Sequence, residues 1–403
     1  MHRSKRWIAP VAVLAATAVM AGCSSSSSSS TSAPSSSAPS SSAPSVSTSA
    51  TGSATTAASS GVSKADAMVA QLSAVTTKYP VPTTPVSGVA ALKGKTVYYV
   101  PLVAAIPGFA ATAVALKGSL AKAGLKLQVC DGQGNPSAIA ACVGQATGAG
   151  AAGIILDAAP YGMAENALNS AKAKGIPIII ADQYPPAANT VNTDAVTYVP
   201  GVVDQPSQIA WWTIADSKGA ANAIIAQEVD SPSSKQYVTN SLSIYSQYCP
   251  GCKITLKTIT ASTNSLLASA TSANILANPN ATYYYTEFED SLQPTIQGIQ
   301  QSARTGISLS VAGGSTDGLG LLKSGSSVVK AVVTVDEAYA AWALTDEILR
   351  LATKSPPVAE TYVSRLFTTE NIGTIQVTPA AENSGAWFGD TSYQSEFAQL
   401  WGV

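Results

Sequence analysis

From Lys95 to Asp182, short apolar runs rich in β-branched residues alternate with alanine-rich stretches of helical length, and a second such series begins after Pro200. A chain that alternates strand and helix with a period of roughly thirty residues buries both by laying its strands parallel in a sheet and covering the faces with helices. In the first series the pattern predicts strands over 96–102, 125–130, 153–156 and 176–181, with helices over 108–122, 136–147 and 164–174. Gly124 suits the left-handed end of the first helix, and Asn135 before Pro136 suits an N-cap followed by proline at the first helical position. The unbroken apolar run over 176–181 indicates a sheet covered on both faces. The second series predicts helices over 205–217, 234–248, 266–276 and 292–304 and strands over 223–227, 254–259, 282–286 and 307–312. A turn cluster, Gly313-Gly314-Ser315-Thr316-Asp317-Gly318, leads to a short helix, a strand over 328–335 and a helix over 336–351. Spacing alone fits either two independent domains or two lobes that share one cleft.

The amino-terminal residues bear on compartment. His2, Arg3, Lys5 and Arg6 precede an apolar run over 7–19 and a small-residue site at Ala21-Gly22, the layout of an export signal over 1–22, too short for a comfortable membrane span. Met20-Ala21-Gly22-Cys23 resembles a bacterial lipoprotein signal, although Met20 stands where leucine is more usual. That resemblance implies a lipid on Cys23 and an extracytoplasmic, membrane-anchored protein; an ordinary secretory signal is the other reading. Residues 23–61 are almost entirely Ser, Thr, Ala and Pro without charge, which predicts a disordered tether, or a glycosylated stalk. Residues 62–403 are long enough for two lobes of ordinary size.

Several functions are excluded by composition. A net charge of −1 with 11% charged residues offers no electrostatic handle on nucleic acid. The one histidine is His2, inside the predicted signal, so imidazole acid–base work, serine and cysteine triads and histidine-ligated zinc are removed together. Carboxylate-pair hydrolysis survives that test. No cofactor or metal is expected. Beyond Cys23, four cysteines lie in two local pairs, and in an oxidising compartment disulfides are expected between Cys130 and Cys142 and between Cys249 and Cys252. A redox role for Cys249-Pro-Gly-Cys252 or a four-cysteine zinc site are the alternatives.

Asp131-Gly132-Gln133-Gly134-Asn135-Pro136 resembles the Asp-x-Gln-x-Asn/Asp-Pro turn of the type I periplasmic solute-binding proteins, the ribose-binding-like receptors of ABC importers. Gly153-Ile154-Ile155-Leu156-Asp157 and Gly175-Ile176-Pro177-Ile178-Ile179-Ile180-Ala181-Asp182 are similar to that family's third and fourth strands, and Asn278-Pro279-Asn280-Ala281-Thr282 to the start of a later one. The resemblance runs from Lys93 to Val377 in order and spacing. It implies an α/β fold of two doubly wound parallel-sheet lobes joined by a three-segment hinge, with crossings near Val199-Pro200, Val335-Asp336 and Ser355-Pro356-Pro357. Lobe one would take 93–200 and 336–356, lobe two 201–335 and 357–378 with carboxy-terminal strands over 362–367 and 372–377, leaving extensions over 62–92 and 379–403. Aromatic residues and prolines over 79–85, with Trp387 and Trp401, suggest that both extensions pack on the lobes. The implied role is that of a monomer that captures a small solute by hinge closure, without chemistry, and delivers it to an ABC permease. A receptor that reports to a membrane sensor is the alternative.

In open parallel sheets the ligand sits beyond the carboxyl ends of the strands. That rule selects Ile106, Phe109, Asp157, Asp182, Gln183 and Tyr184 from lobe one and Glu228, Asp230, Glu287, Phe288, Glu289, Gly314 and Ser315 from lobe two, with Asp336 at the hinge. Plain structural roles compete: Phe109 and Phe288 as core, Glu289 as a helix cap, Asp157 as a strand end in water. Sugar-binding members of the family carry an Asp-Arg pair where this chain has Asp182-Gln183, and Ile106, Gly108 and Phe109 replace an asparagine and paired aromatics. Beyond the predicted signal the arginines are Arg304, Arg350 and Arg365, none at a strand end facing the cleft. The acidic and aromatic set suits a sugar or polyol first, and a cationic or aromatic solute second. A hydrolase using Glu287 or Glu289 with Asp182 is the remote alternative.

Overall fold

The computed structural model describes residues 50–186, 193, 195–201, 205–325 and 328–403. The expected signal, Cys23 and most of the tether lie outside the described residues. The last stretch read as tether is helical, because α1 (Ala50–Ser73) begins within it. Proline stops at Pro44, so no proline interrupts the helix that follows. The later part of α1 is anchored by burial of Ala65, and Gly61 lets its backbone pass so close to the Tyr248 carbonyl that a Cβ would clash.

The first sheet is wholly parallel. It contains β1 (Thr96–Pro101), β2 (Lys126–Val129), β3 (Gly153–Asp157), β4 (Ile178–Ala181) and β5 (Val196–Val199) in the order β2-β1-β3-β4-β5. Helices α2 (Pro107–Lys122), α3 (Pro136–Gly148) and α4 (Glu165–Ala173) connect them. β3 and β4 are buried at every residue, as strands covered on both faces must be. Asn135 accepts from the Ala138 amide at 2.9 Å, and Gly124 is left-handed at φ 81°. β5 was not foreseen: its four residues alternate between half-buried and buried at the sheet edge, and carry no continuous apolar run.

The second sheet follows α5 (Gln205–Asp216). It holds β6 (Asn222–Glu228), β7 (Lys253–Ile259), β8 (Tyr283–Thr286), β9 (Ser308–Ala312), β10 (Val329–Val335) and β11 (Ser364–Thr368), in the order β11-β10-β9-β8-β6-β7. Only β11 runs antiparallel to its neighbour. Helices α6 (Pro232–Tyr248), α7 (Leu267–Ala277), α8 (Leu292–Gln301) and α9 (Thr316–Lys323) complete this lobe, while α10 (Glu337–Thr353) returns to pack on α2, β3 and β4. The strand expected over 372–377 is instead a single 3-10 turn, Ile372–Thr374. Ile372 and Ile375 both enter the core of lobe two, and their spacing of three fits a turn and not a strand. Asn371 stabilises that turn by accepting from the Thr368 amide and donating to the Leu366 carbonyl.

The chain passes between the lobes after β5, after β10 and after α10. These crossings touch. The Asp336 amide of the second donates to the Val363 carbonyl of the third at 2.8 Å, and Gly201 of the first lies so close to the Tyr362 ring that no side chain fits between them. The extensions add two more crossings among the described residues. α1 packs on α5, α6 and β11, whereas Tyr79, Val86, Val89 and Leu92 enter the core of lobe one. After α11 (Pro379–Ser384), Trp387 and Phe388 enter the core of lobe two, and Tyr393, Phe397 and Trp401 of α12 (Tyr393–Trp401) enter that of lobe one. The extensions also pair with each other, through Thr76 with Gly389 and through the Val86 amide donating to the Leu400 carbonyl at 2.8 Å.

Candidate functional site

The carboxyl ends of β3 and β4 bring two aspartates together. Asp157 is buried at the end of β3, where its Oδ2 accepts from the Tyr99 hydroxyl at 2.6 Å. Asp182 follows β4 in a left-handed conformation at φ 56°, a region that aspartate tolerates better than most residues. The two carboxyls are near enough for each to shift the other, and each keeps a buried Oδ1 without a hydrogen-bond partner. Burial first, and then the charges of Asp157 and Glu337, push Asp182 well above the usual carboxylate range; burial also raises Asp157. Glu337, in the first turn of α10, accepts from the Thr112 hydroxyl of α2 at 2.7 Å, and burial raises it to about 8. The Tyr362 hydroxyl is buried among these groups without a hydrogen-bond partner; burial, followed by the charges of Asp182, Asp157 and Glu337, raises it. Sequence reading did not single out Glu337, Tyr99, Tyr237 or Tyr362.

The other lobe closes on this cluster through α6. Ser231 caps that helix with a capping box, so its first turn is fixed where it meets the loop after β4. The Tyr237 hydroxyl donates to the Asp182 carbonyl at 2.7 Å, and the Ser233 hydroxyl donates to Gln183 Oε1 at 2.9 Å. The Tyr184 amide donates to Ser233 Oγ at 3.0 Å, and Asn240 Nδ2 donates to the Tyr184 hydroxyl at 3.1 Å. Gln183 and Tyr184 therefore join the lobes directly, in a closed arrangement. Glu287, at the carboxyl end of β8, is fully buried: Oε2 accepts from the Glu228 amide at 2.7 Å, while Oε1 has no donor.

The remaining candidates have local partners. Glu289 Oε1 accepts from the Ser315 and Gly318 amides at 2.9 and 2.8 Å, so it caps α9 and not the helix that follows it. Ser315 is the N-cap of α9, accepting from the Asp317 amide, and Gly314 packs so tightly on Val332 that a Cβ would overlap it. Asp336 is fully buried as the N-cap of α10, accepting from the Tyr339 amide at 3.0 Å and from the Tyr79 hydroxyl at 2.9 Å. Ile106 is the N-cap residue of α2, Phe109 lies in its first turn and Phe288 precedes a short 3-10 turn; all three are half-exposed. Two surface recesses, of about 780 Å³ beside α2 and α12 and about 300 Å³ beside Leu92 and Lys172, include none of these residues.

Both disulfides, Cys130–Cys142 and Cys249–Cys252, are formed. Cys249 follows the carboxyl end of α6, where the helix dipole disfavours a thiolate, so the redox alternative lacks its usual helix N-terminus. No group of three or more metal-ligating side chains occurs among the described residues.

These buried acids give stability a distinct pH dependence. Burial raises Asp336 to about 7, so between pH 4.5 and 8 the folded chain binds more protons than the unfolded chain. Its contribution is present below the unfolded value and is lost as pH rises through 7. We expect the unfolding free energy from urea titration to fall by about 2 kcal/mol from pH 5 to pH 8. A flat or rising profile would contradict the burial of these acids.

No family model matches the chain, and no curated protein does. Solved structures do. The 5-methylthioribose transporter solute binding protein of Thermotoga lettingae, in complex with 5-methylthioribose, aligns with a TM-score of 0.63 and 14% identity over 79% of this chain and 99% of its own. The Caulobacter myo-inositol binding protein bound to myo-inositol aligns at 0.61 and 18% over 73% and 98%. A Mycobacterium smegmatis protein in complex with β-D-fucofuranose aligns at 0.59 and 17% over 73% and 98%. At these identities the likeness establishes the fold, the two-lobed α/β architecture of type I periplasmic binding proteins.

Proposed function

We propose that this chain is the extracytoplasmic solute-binding component of an ABC importer, which captures a sugar or polyol between its lobes and releases it to a membrane permease. The observation that carries the reading is geometric. Asp157 and Asp182 stand at the carboxyl ends of β3 and β4, Glu287 follows β8 of the other lobe, and Tyr237 of α6 lies within electrostatic reach of both Asp182 and Glu287. A solute that touches both lobes favours the closed form by its differential affinity, the logic of hinge closure. The solved proteins of this fold that bind 5-methylthioribose and myo-inositol support a small hydroxylated ligand. Within this reading Cys23 carries a lipid, residues between it and α1 tether the lobes to the membrane, and the protein acts as a monomer without catalysis. Glu289 is already engaged by two backbone amides, which weakens the hydrolase alternative.

A thermal-shift panel of sugars and polyols tests the reading, since solute at a hundred times its dissociation constant stabilises the native state by about 2.7 kcal/mol. Asp182→Asn, which suits the left-handed backbone, is expected to weaken the binding of the solute found by at least about tenfold while leaving the melting temperature of the free protein within a few degrees. Unchanged affinity would remove Asp182 from the site.

A further inference from the structure

The interlobe cluster gathers acids and, among the described residues, no ion-paired base. Asp157 Oδ1, Asp182 Oδ1 and Glu287 Oε1 are all buried without a donor from a neighbouring side chain or backbone, and Asp157 and Glu287 are themselves buried almost completely. The ion pairs among the described residues, Lys218–Asp66 and Arg350–Asp346, lie elsewhere. The Tyr237 hydroxyl is spent on the Asp182 carbonyl, and that of Tyr99 on Asp157. Buried donors without an acceptor are the Tyr362 hydroxyl beside the aspartates, Thr286 Oγ1 at the end of β8 and Gln205 Nε2, whose Oε1 is held by the Gly313 amide. The first turns of α2, α6 and α10 add partial positive charge of roughly half an elementary charge each, and burial still raises Asp157, Asp182 and Glu337. A neutral polyol brings as many acceptors as donors and leaves these acids in the neutral form that burial favours. An ammonium brings three donors, no acceptor and a full charge.

We propose that the solute is a polyhydroxylated amine, such as an amino sugar or aminocyclitol, whose ammonium group sits against Asp157, Asp182 and Glu337, with Glu287 facing it from the other lobe. The proposal rests on the solute-capture reading and narrows it. Burial disfavours the ionised form of Asp157 and Asp182, and an adjacent cation favours it, so ammonium binding at the pair releases a proton to solvent. Groups facing the pair are Tyr99 from β1, Tyr362 from the third crossing, Glu337 from α10 and Tyr237 from α6.

Matched probes test it: D-glucosamine against D-glucose, D-galactosamine against D-galactose, and 2-deoxystreptamine against myo-inositol. Calorimetry at pH 7 is run in phosphate and in Tris, with thermal shifts and small-angle scattering alongside. The expected result is that at least one amine binds about tenfold or more tightly than its neutral partner and releases protons, read as a heat that differs between the buffers. Asp157→Asn, which keeps an acceptor for Tyr99, should narrow that preference by lowering amine affinity by a larger factor than the affinity for the neutral partner. Neutral members that bind as tightly as the amines, or amine binding without proton release, would overturn the ammonium assignment and leave solute capture standing. No binding by any probe, with scattering unchanged, would count against both.

Discussion

A chain ending at Thr378 will fail to give a cooperatively folded protein, although the truncation removes no strand of either sheet. The segment lost carries Trp387 and Phe388 in the core of lobe two and Tyr393, Phe397 and Trp401 in the core of lobe one, all five buried. Removing one buried Phe or Trp side chain costs about 3–5 kcal/mol, so five exceed the roughly 5–15 kcal/mol that holds a typical domain folded. Polar groups suffer as well. Arg365 loses the Trp387 carbonyl that accepts from it at 2.6 Å, and Asp346 loses the Trp401 indole donor at 2.7 Å. Circular dichroism melts and limited proteolysis of the truncated chain provide the check. A cooperative melt within a few degrees of the full chain would mean that the extension is an ornament on the lobes and not part of their cores.

Arg350→Met will destabilise the protein by about 3–5 kcal/mol, the cost of breaking a buried ion pair by removing one partner. Arg350 is fully buried; its Nε donates to Asp346 Oδ2 at 2.6 Å and its Nη2 to the Thr84 carbonyl at 2.7 Å. Its charge also moderates Glu347 and Glu360, which burial raises, Glu347 to about 7. Because these acids are raised, the stability they allow is present in acid and is lost as pH rises through about 7. The defect of the variant is therefore expected to be larger at pH 8 than at pH 5. Urea titrations at both values read it. A loss below about 1 kcal/mol at pH 8 would contradict the burial of this cluster, since exposed pairs are worth no more than that. The cluster joins α10, the third crossing through Glu360, the amino-terminal extension through Thr84 and α12 through Trp401. Its loss should loosen hinge and extensions together.

The parallel lobes were legible because their signals are local. Unbroken apolar runs mark β3 and β4, Asn135 and Gly124 mark helix ends, and both cysteine pairs lie within a few turns of each other. The aromatic residues of the extensions also advertised burial, and Trp387 and Trp401 are indeed in the cores. Less visible were features set by distant partners. Apolar residues over 372–377 fit a strand or a turn equally until Asn371 selects the turn. In the site, the strand-end rule found Asp157 and Asp182 but not Glu337, which meets them only because α10 returns from the other lobe. Tyr237 and Tyr362 escaped notice for the same reason: one reaches Asp182 from across the lobes, the other from the third crossing. Asp336, chosen for its place at the hinge, is covered by Tyr79 of an extension whose position no local pattern reveals.

The central claim is that a solute held between the carboxyl ends of two sheets draws the lobes into the closed arrangement seen at Tyr237 and Asp182. Small-angle X-ray scattering on the full chain, free and saturated with a solute identified by thermal shift, addresses it directly. The account predicts that the radius of gyration falls on saturation and that the saturated profile matches the closed structure. A saturated protein whose profile is indistinguishable from that of the free protein would contradict it.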